Sequence, residues 1–354
     1  MRKILFLFIM VVSLCECKKN DTTNNTTKSN WIKSLNGTIP YDLYSVYFTD
    51  ANTGYAVGKD PTTGWGPSDS AVIIKTINKG STWTVLPLRK TIANDLFSVY
   101  FTDANTGYAV GNVYQTGAFY GTVLKTTNGG TSWIALALPS GTTTGLSSVY
   151  FTNANTGYAV GNVYQAGAFY GVILKTINGG TTWTSSILPS ATTNGLNSVY
   201  FTDANTGYTV GNVHNGSVYS SVVLKTINGG TTWTALPIGI ASSLYSIYFT
   251  DANTGYATGT DGTETSRGAI IKTSNGGTTW TALPLPTMSS MFDVRSIYFA
   301  STTNGYAVGT GGYIFKTTNS GTTWTNLPLD NSLQLTDFFG VRFTDANTGY
   351  VVGD

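Results

Sequence analysis

The residue types that perform catalysis or bind metals are scarce in this chain of 354 residues. It contains one histidine (His214), two cysteines (Cys15 and Cys17) and two glutamates (Glu16 and Glu264). A zinc site needs several Cys or His ligands, and Ser-His-Asp or Cys-His catalysis needs a histidine beside its nucleophile. We therefore expect no catalytic residue, no metal site and no cofactor.

Recognition of another molecule is the chemistry that the remaining side chains suit best. Aromatic, amide and glycine residues cluster in N-V-Y-Q-T-G-A-F-Y-G (112–121), in N-V-Y-Q-A-G-A-F-Y-G (162–171) and in N-V-H-N-G-S-V-Y (212–219). Such residues on loops held by a rigid scaffold are typical of binding surfaces. The binding hypothesis uses Trp65, Tyr114, Gln115, Phe119, Tyr120, Tyr164, Gln165, Phe169, Tyr170, His214 and Tyr219. The alternative is that these loops fold back as longer hairpins and bury their own aromatic side chains.

A repeat of about fifty residues determines which elements carry these loops. The phrase T-G-Y or N-G-Y recurs with its glycine at 54, 107, 157, 207, 255, 305 and 349. One tryptophan keeps the same phase in each unit, at Trp31, Trp83, Trp133, Trp183, Trp233, Trp280 and Trp324. Periods of about 40 to 50 residues rich in short strands are typical of β-propellers, in which the indoles would fill the spaces between blades.

Each unit reads as four short strands, for example Ser98–Phe101, Tyr108–Gly111, Thr122–Thr126 and Ser132–Leu136. The turn before the fourth strand is N-G-G, which supplies the positive φ angles of a tight reversal. Little of the unit is left for helices. The sequence therefore predicts an all-β, seven-bladed propeller of four-stranded antiparallel blades, formed as a single domain by residues 31–354.

The two ends of the repeat region complement each other. Residues 31–35 read as a fourth strand, whereas residues 341–343 and 350–352 read as a first and a second strand. Together they would close the ring and remove the free sheet edges. Because the sequence stops where a third strand should begin, either the closing blade has three strands or the chain is truncated.

The N-terminus has the pattern of an export signal. Arg2 and Lys3 precede the apolar run Ile4–Leu14, which is shorter than a membrane span. We interpret residues 1–17 as a signal peptide and residues 18–30, which lack apolar side chains, as a polar tether. The V-S-L-C-E-C segment is similar to a bacterial lipobox, so Cys15 or Cys17 is the expected lipidation site; a plain secretory signal is the alternative. We expect an exported protein of the cell envelope, on the periplasmic or outer-surface side.

Repeated polar positions are better explained by structure than by ligands. The T-D-A-N-T-G turn resembles the start of a calcium loop but lacks the bidentate Glu that such a loop needs. Six lysines end the third strands, and we expect each to pair with a local acceptor or to cover an aromatic ring. They are Lys75, Lys125, Lys175, Lys225, Lys272 and Lys316.

The turn phrase T-I-N-G-G-T-T-W (176–183) resembles the Asp-box, or BNR, repeat of sialidases and related propellers, with Asn178 in place of the Asp. Combined with F-T-D-A-N-T-G-Y-A-V-G, the unit looks most like the photosystem II assembly and stability factor family. The resemblance implies a seven-bladed propeller that binds a membrane-protein precursor and its assembly partners.

These observations lead to one functional expectation and one alternative. We expect a monomeric, membrane-anchored, non-catalytic scaffold that binds a protein or glycan at the envelope, and no nucleic acid because the net charge is only +2. The alternative is a sialidase-like glycoside hydrolase or a carbohydrate-binding propeller. The enzyme would need three clustered arginines and a Glu. Beyond the signal only Glu264 remains, together with Arg89, Arg267, Arg295 and Arg342.

Overall fold

The chain folds as a ring of four-stranded antiparallel sheets. The computed structural model describes residues 9–13, 31–33, 41–61, 70–89, 91–139, 144–165, 168–185, 188, 194–215, 218–238, 243–262, 267–288, 291–329 and 337–354. Apart from a three-residue 3-10 turn at Thr310–Gly312, the regular elements in these ranges are β-strands.

In chain order the strands are β1 (Ile9–Ser13), β2 (Trp31–Lys33), β3 (Asp42–Phe48), β4 (Gly54–Asp60), β5 (Ser70–Thr76), β6 (Thr84–Val85), β7 (Asp95–Phe101), β8 (Gly107–Gln115), β9 (Ala118–Thr126), β10 (Ile134–Ala135), β11 (Gly145–Phe151), β12 (Gly157–Gln165), β13 (Ala168–Thr176), β14 (Thr184–Ser185), β15 (Gly195–Phe201), β16 (Gly207–Asn215), β17 (Val218–Thr226), β18 (Thr234–Leu236), β19 (Ser243–Phe249), β20 (Gly255–Thr260), β21 (Gly268–Thr273), β22 (Thr281–Leu283), β23 (Val294–Phe299), β24 (Gly305–Gly309), β25 (Ile314–Thr317), β26 (Thr325–Asn326), β27 (Phe338–Phe343) and β28 (Thr348–Gly353).

Six blades each consist of four consecutive strands, from β3–β6 for the first blade to β23–β26 for the sixth. A further sheet, here called the closing sheet, has the order β2-β1-β28-β27 and so combines two distant parts of the chain. Its inner strand β27 contacts both β23 and β3, which closes the ring. The prediction of an all-β propeller with four-stranded antiparallel blades is confirmed. The count differs from seven, because six blades are made of consecutive strands and the ring is completed by the composite sheet.

The closing sheet corrects the expectation that this part of the ring has three strands. Strand β1 pairs antiparallel with β28, from Ile9 opposite Val352 to Ser13 opposite Thr348, and its other edge pairs with β2. Part of the apolar run assigned to the signal peptide therefore occupies the third-strand position beside β28. That residues 1–17 are a signal peptide stays a prediction. Cys15, Cys17 and the tether at 18–30 lie outside the described residues.

Aromatic side chains fill the seams between blades. Tyr158 of the third blade stacks on Phe201 of the fourth with ring centroids 4.0 Å apart, and Phe201 meets Trp233 edge-on. The same three-ring arrangement recurs around the ring. Trp133, Trp183, Trp233 and Trp324 are buried, Trp83 and Trp280 are partly buried, and Trp31 lies in β2.

A polar contact reinforces the five seams between consecutive blades from the first to the sixth. The Tyr158 hydroxyl donates to the Gly229 carbonyl at 2.8 Å, and the Lys175 ammonium donates to the same oxygen while lying over the Tyr158 ring. Burial raises the pKa of Tyr158 to about 12, so its hydroxyl stays a donor at neutral pH. Lys75, Lys125, Lys225 and Lys272 make the same contact with the following blade, and Lys316 lies over Tyr306. The repeated lysines thus join blades.

The two repeated turns are stabilised by their own side chains. Asn178 Oδ1 accepts from the Thr182 N–H at 2.9 Å, and its amide donates to the Thr182 hydroxyl, so an Asn serves where an Asp-box has Asp. Gly179 and Gly180 have φ of 62° and 83°, as the sequence predicted. In the other turn, Asp203 Oδ1 accepts two backbone N–H bonds of 2.7 and 2.9 Å. The Asp side chain therefore stabilises the turn of a β-hairpin, as Asp and Asn commonly do in turns.

Candidate binding site

Two long hairpins rise from the same side of the second and third blades. Strands β8 and β9 continue to a two-residue turn, Thr116–Gly117, in which both residues have positive φ. Near this tip Tyr114 faces Phe119, with ring centroids 5.1 Å apart. In the third blade Tyr164 and Phe169 form the equivalent pair at 5.0 Å. Each hairpin therefore carries its aromatic side chains on regular strands rather than on irregular loops.

The hairpin alternative proposed from the sequence is right about the backbone and wrong about burial. The loops of the second and third blades do extend the second and third strands, but five of their aromatic rings stay accessible. Phe119 is 38% exposed, Tyr120 41%, Tyr164 53%, Phe169 48% and Tyr170 45%. Accessible aromatic rings on a rigid support are available to a partner.

A cleft of about 580 Å³ lies between the two hairpins. It is lined by Phe97, Asn112, Ala118, Phe119, Thr144, Gly145, Ser147, Asn162, Tyr164 and Phe169. None of these residues carries a formal charge at neutral pH. Phe97 and Ser147 also line a second space of about 160 Å³ on the inner strands, so the cleft leads to the central channel.

One polar atom in the cleft wall lacks a partner. Asn112 Oδ1 is buried and accepts no hydrogen bond from the described residues. The equivalent atom of the next blade, Asn162 Oδ1, accepts from the Thr144 hydroxyl at 2.7 Å. A buried acceptor without a donor costs free energy of about 1 to 3 kcal/mol. A ligand that brings an N–H or O–H group would remove this cost.

The structure brings together only part of the predicted set. Phe119, Tyr164 and Phe169 line the cleft, whereas the Gln115 amide donates to the Thr91 carbonyl at 3.3 Å and the Tyr120 hydroxyl lies 3.3 Å from that of Thr116. Tyr114, Gln165 and Tyr170 are not part of the cleft lining. His214 and Tyr219 lie opposite each other in β16 and β17, and their side chains are outside the described part of the structure. Trp65 lies outside the described residues.

The sequence reasoning missed Phe97, Asn112, Thr144 and Asn162. A usable signal was present in Asn112 and Asn162, which open the two matching loop phrases. Phe97 occupies a position that varies from blade to blade although the strand around it is repeated: Tyr44, Phe97, Ser147, Asn197, Tyr245, Arg295 and Phe339. Because the residue at this position varies while the rest of the strand repeats, packing of the blades does not fix it, and the position is available for recognition.

The channel mouth beside the cleft is aromatic on one side and charged on the other. Tyr44 contacts both Phe97 and Phe339, with centroids 5.4 and 5.3 Å apart. Across the channel, Arg295 pairs with Asp293 at 2.6 Å and covers the Tyr245 ring.

The other arginines are held separately. Arg342 lies between the rings of Tyr47 and Tyr298, at 4.7 and 5.1 Å, and Arg267 lines a different pocket beside Asp261. Glu264 lies outside the described residues. In the described part of the chain these contacts do not assemble three arginines around one substrate carboxylate.

Acidic groups do not form a metal site in the described ranges. No group of three or more His, Cys, Asp or Glu there has a geometry that could hold a metal ion. Burial raises the pKa of Asp42 and of Asp354, although Lys59, 3.9 Å from Asp42, opposes the shift. A search for membrane-spanning helices in the same ranges finds none of the required length and hydropathy.

Comparison with known proteins identifies the fold and the family. The structure is similar to that of YCF48 bound to D1 peptide, with a TM-score of 0.63, 18% identity and coverage of 89% of this chain and 91% of that one. YCF48 from Cyanidioschyzon merolae gives a TM-score of 0.60 and 17% identity over 89% and 93% of the two chains. The GH74 xyloglucanase from Xanthomonas campestris gives 0.64 and 15% over 88% of this chain and 51% of that one.

At these identities the structural matches establish the fold alone. No curated protein matches the sequence. The family model described as photosynthesis system II assembly factor YCF48 matches residues 130–283 and 226–337. Together the two matches span 130–337, which is more than half of the chain. The protein therefore belongs to the photosynthesis system II assembly factor YCF48 family.

Proposed function

We propose that the protein is a non-catalytic, membrane-anchored propeller that binds an extended segment of another protein in the cleft between its second and third blades. The observation that carries this proposal is the combination of accessible aromatic rings with the unpartnered Asn112 Oδ1. An extended peptide can satisfy both features. Its apolar side chains would pack on Phe119 and Phe169, and one of its backbone N–H groups would donate to Asn112 Oδ1.

The composition of the cleft favours an uncharged segment. Its lining includes no Lys, Arg, Asp or Glu, so a charged side chain placed there would lose water without gaining an opposite charge. The structure of YCF48 bound to D1 peptide, which has the same fold, supports a peptide as the class of ligand.

Binding to an array of short, uncharged aromatic peptides tests the proposal. Phe119→Ala combined with Phe169→Ala should lower the affinity of any bound peptide at least tenfold, since each ring is a central contact. Ile177→Ala combined with Ile227→Ala is the matched control, because both isoleucines are about 70% exposed on the repeated turns instead. Equal binding by the two double variants would refute the site.

Location in the cell envelope is the second part of the proposal. Intact-mass measurement of the mature protein should show a lipid on its N-terminal residue, and the cleavage position distinguishes Cys15 from Cys17. Cys15→Ala and Cys17→Ala form a matched pair, because only one of them should abolish the lipid. An unlipidated, fully secreted mature chain would contradict the anchor.

A glycan ligand is the alternative for the same cleft, since aromatic rings also stack on sugars. The GH74 neighbour supports a test with oligosaccharides. An enzyme would need an acid from outside the cleft lining, and burial raises the pKa of two described carboxyls there, Asp42 and Asp354. Hydrolysis of aryl glycosides, a sialoside or xyloglucan that disappears in Asp42→Asn would replace the scaffold proposal with an enzymatic one.

A further inference from the structure

A pocket of about 200 Å³ lies against the fifth blade, where the chain leaves β22 toward the sixth blade. Its walls are formed by β21, by β22 and by the segment at 285–288, and Phe292, just before β23, completes them. Among the described residues it shares no lining residue with the cleft or with the space on the inner strands. A ligand of this pocket is therefore independent of the proposed function.

The sequence departs from the repeat at one wall of this pocket. Phe292 occupies the position of Asn94, Thr144 and Asn194 in the second, third and fourth blades. Its ring is 4% exposed and packs against the backbone of Gly268, where a Cβ would lie 2.4 Å from the ring. Because the fold itself holds this ring in place, the pocket has a preformed aromatic wall.

The inner part of the pocket is apolar. Ile270, Leu283, Leu285, Met288 and Phe292 line it and belong to one packed cluster. An apolar cavity of about 150 Å³ is large enough to bind benzene, so this pocket has room for one aromatic ring. A methionine sulfur and the edge of a phenylalanine ring both make favourable contacts with a further aromatic ring.

Two opposite charges lie on the hairpin side of the pocket. The Asp261 N–H donates to the Arg267 carbonyl at 2.8 Å, and the Arg267 N–H donates to Asp261 Oδ1 at 3.1 Å. The two side chains nevertheless form no ion pair, and within the described ranges the exposed Arg267 guanidinium has no acidic partner. The Asp261 carboxylate can accept further donors, because an ionised Asp offers about four acceptor positions.

This combination selects against a ligand with a single charge. An anion bound to Arg267 alone would place its charge near Asp261, and a cation bound to Asp261 alone would place its charge near Arg267, so each meets repulsion as well as attraction. An α-amino acid carries an ammonium, a carboxylate and a side chain on one carbon. With an apolar side chain it matches both charges and the apolar interior.

We propose that the pocket binds a free α-amino acid with an aromatic side chain, of the size of phenylalanine. Its carboxylate pairs with the Arg267 guanidinium, and its ammonium donates to the Asp261 carboxylate. Its ring enters the apolar part of the pocket between Met288 and Phe292.

Isothermal titration calorimetry of the full chain with three probes tests the proposal. L-phenylalanine carries all three groups, 3-phenylpropionate lacks the ammonium, and 2-phenylethylamine lacks the carboxylate. L-phenylalanine should bind at least about tenfold more tightly than either analogue, as expected for the loss of one charge-assisted hydrogen bond. L-alanine keeps both charges without a ring and should bind at least about tenfold more weakly than L-phenylalanine.

Variants of the two charged residues show which group each one holds. Arg267→Gln should remove the preference for L-phenylalanine over 2-phenylethylamine, and Asp261→Asn should remove the preference over 3-phenylpropionate. Arg89→Gln is the matched control, because Arg89 is also exposed but does not line the pocket. Its affinity for L-phenylalanine should equal that of the unmodified chain.

Three results would overturn the proposal. They are an affinity for 3-phenylpropionate equal to or above that for L-phenylalanine, no saturable binding of L-phenylalanine at millimolar concentration, and equal losses of affinity in Arg267→Gln and Arg89→Gln. Peptide binding in the cleft is measured separately, so none of these results bears on the proposed function.

Discussion

Removing the hydroxyl from each of two equivalent tyrosines, Tyr158 and Tyr350, should have different consequences for stability. The Tyr158 hydroxyl donates to the Gly229 carbonyl, whereas the buried Tyr350 hydroxyl has no such bond. Tyr158→Phe should therefore lower the free energy of unfolding by about 0.5 to 1.5 kcal/mol, the net value of a neutral hydrogen bond. Tyr350→Phe removes no hydrogen bond between blades and should be neutral or slightly stabilising.

The shared acceptor allows the magnitude to be tested further. Gly229 is buried and its carbonyl also accepts from Lys175, so either donor alone keeps the oxygen satisfied. Tyr158→Phe combined with Lys175→Met leaves it without both donors. The double variant should lose about 1 kcal/mol more than the sum of the single changes.

Urea unfolding followed by tryptophan fluorescence measures all four variants, with unchanged m-values as the condition for comparing them. The reasoning is refuted if Tyr158→Phe and Tyr350→Phe cost the same. It is also refuted if the double variant shows no coupling, because the seam bond would then contribute nothing beyond packing.

Three further changes test the packing and the turns. Trp183→Ala should lower the free energy of unfolding by about 3 to 5 kcal/mol, measured by urea unfolding, because the indole is 4% exposed in a seam. Gly161→Ala should abolish the cooperative thermal transition, because a Cβ there would lie 2.0 Å from the Gly145 carbonyl oxygen. Two backbone N–H bonds hold the pKa of Asp203 below its ordinary 3.8, so the stability it contributes is present above that pH and lost as the pH falls through the lower folded value. Asp203→Asn should flatten this part of a melting-temperature profile between about pH 5 and 2, and Asn153, which accepts the same two backbone N–H bonds in the third blade, shows that the turn accommodates the change.

The propeller repeat could be predicted from the sequence because every blade uses the same residues for its turns and for packing against its neighbour. The spacing of the tryptophans and of the N-G-G turns determines the blade, and each lysine was expected to find a nearby acceptor or ring. The carbonyl of the following blade could not be identified as that acceptor, since contacts between Lys175 and Gly229 depend on how blades stack. The role of β1 was also out of reach, because an apolar run is as typical of an export signal as of a buried strand.

The cleft was predictable only in part for a different reason. The exposed rings of Phe119 and Phe169 could be predicted, because the aromatic residues of these two loop phrases stand out in the sequence. Its floor combines Phe97 from an inner strand with Asn112 and Thr144 from two blades. Their proximity is set by the twist and spacing of neighbouring sheets, and no local pattern encodes it.

The tyrosine and lysine seam contacts between the first and sixth blades all run in one direction. The earlier blade supplies the tyrosine and, with it, the lysine, as in Tyr108 and Lys125, and the later blade supplies the carbonyl, here of Gly179. Each unit therefore presents the same turn carbonyl to its predecessor and the same tyrosine and lysine donors to its successor. Duplication or deletion of a whole unit by recombination would rebuild every junction with unchanged chemistry, so rings of different size can arise in evolution without compensating substitutions at the junctions.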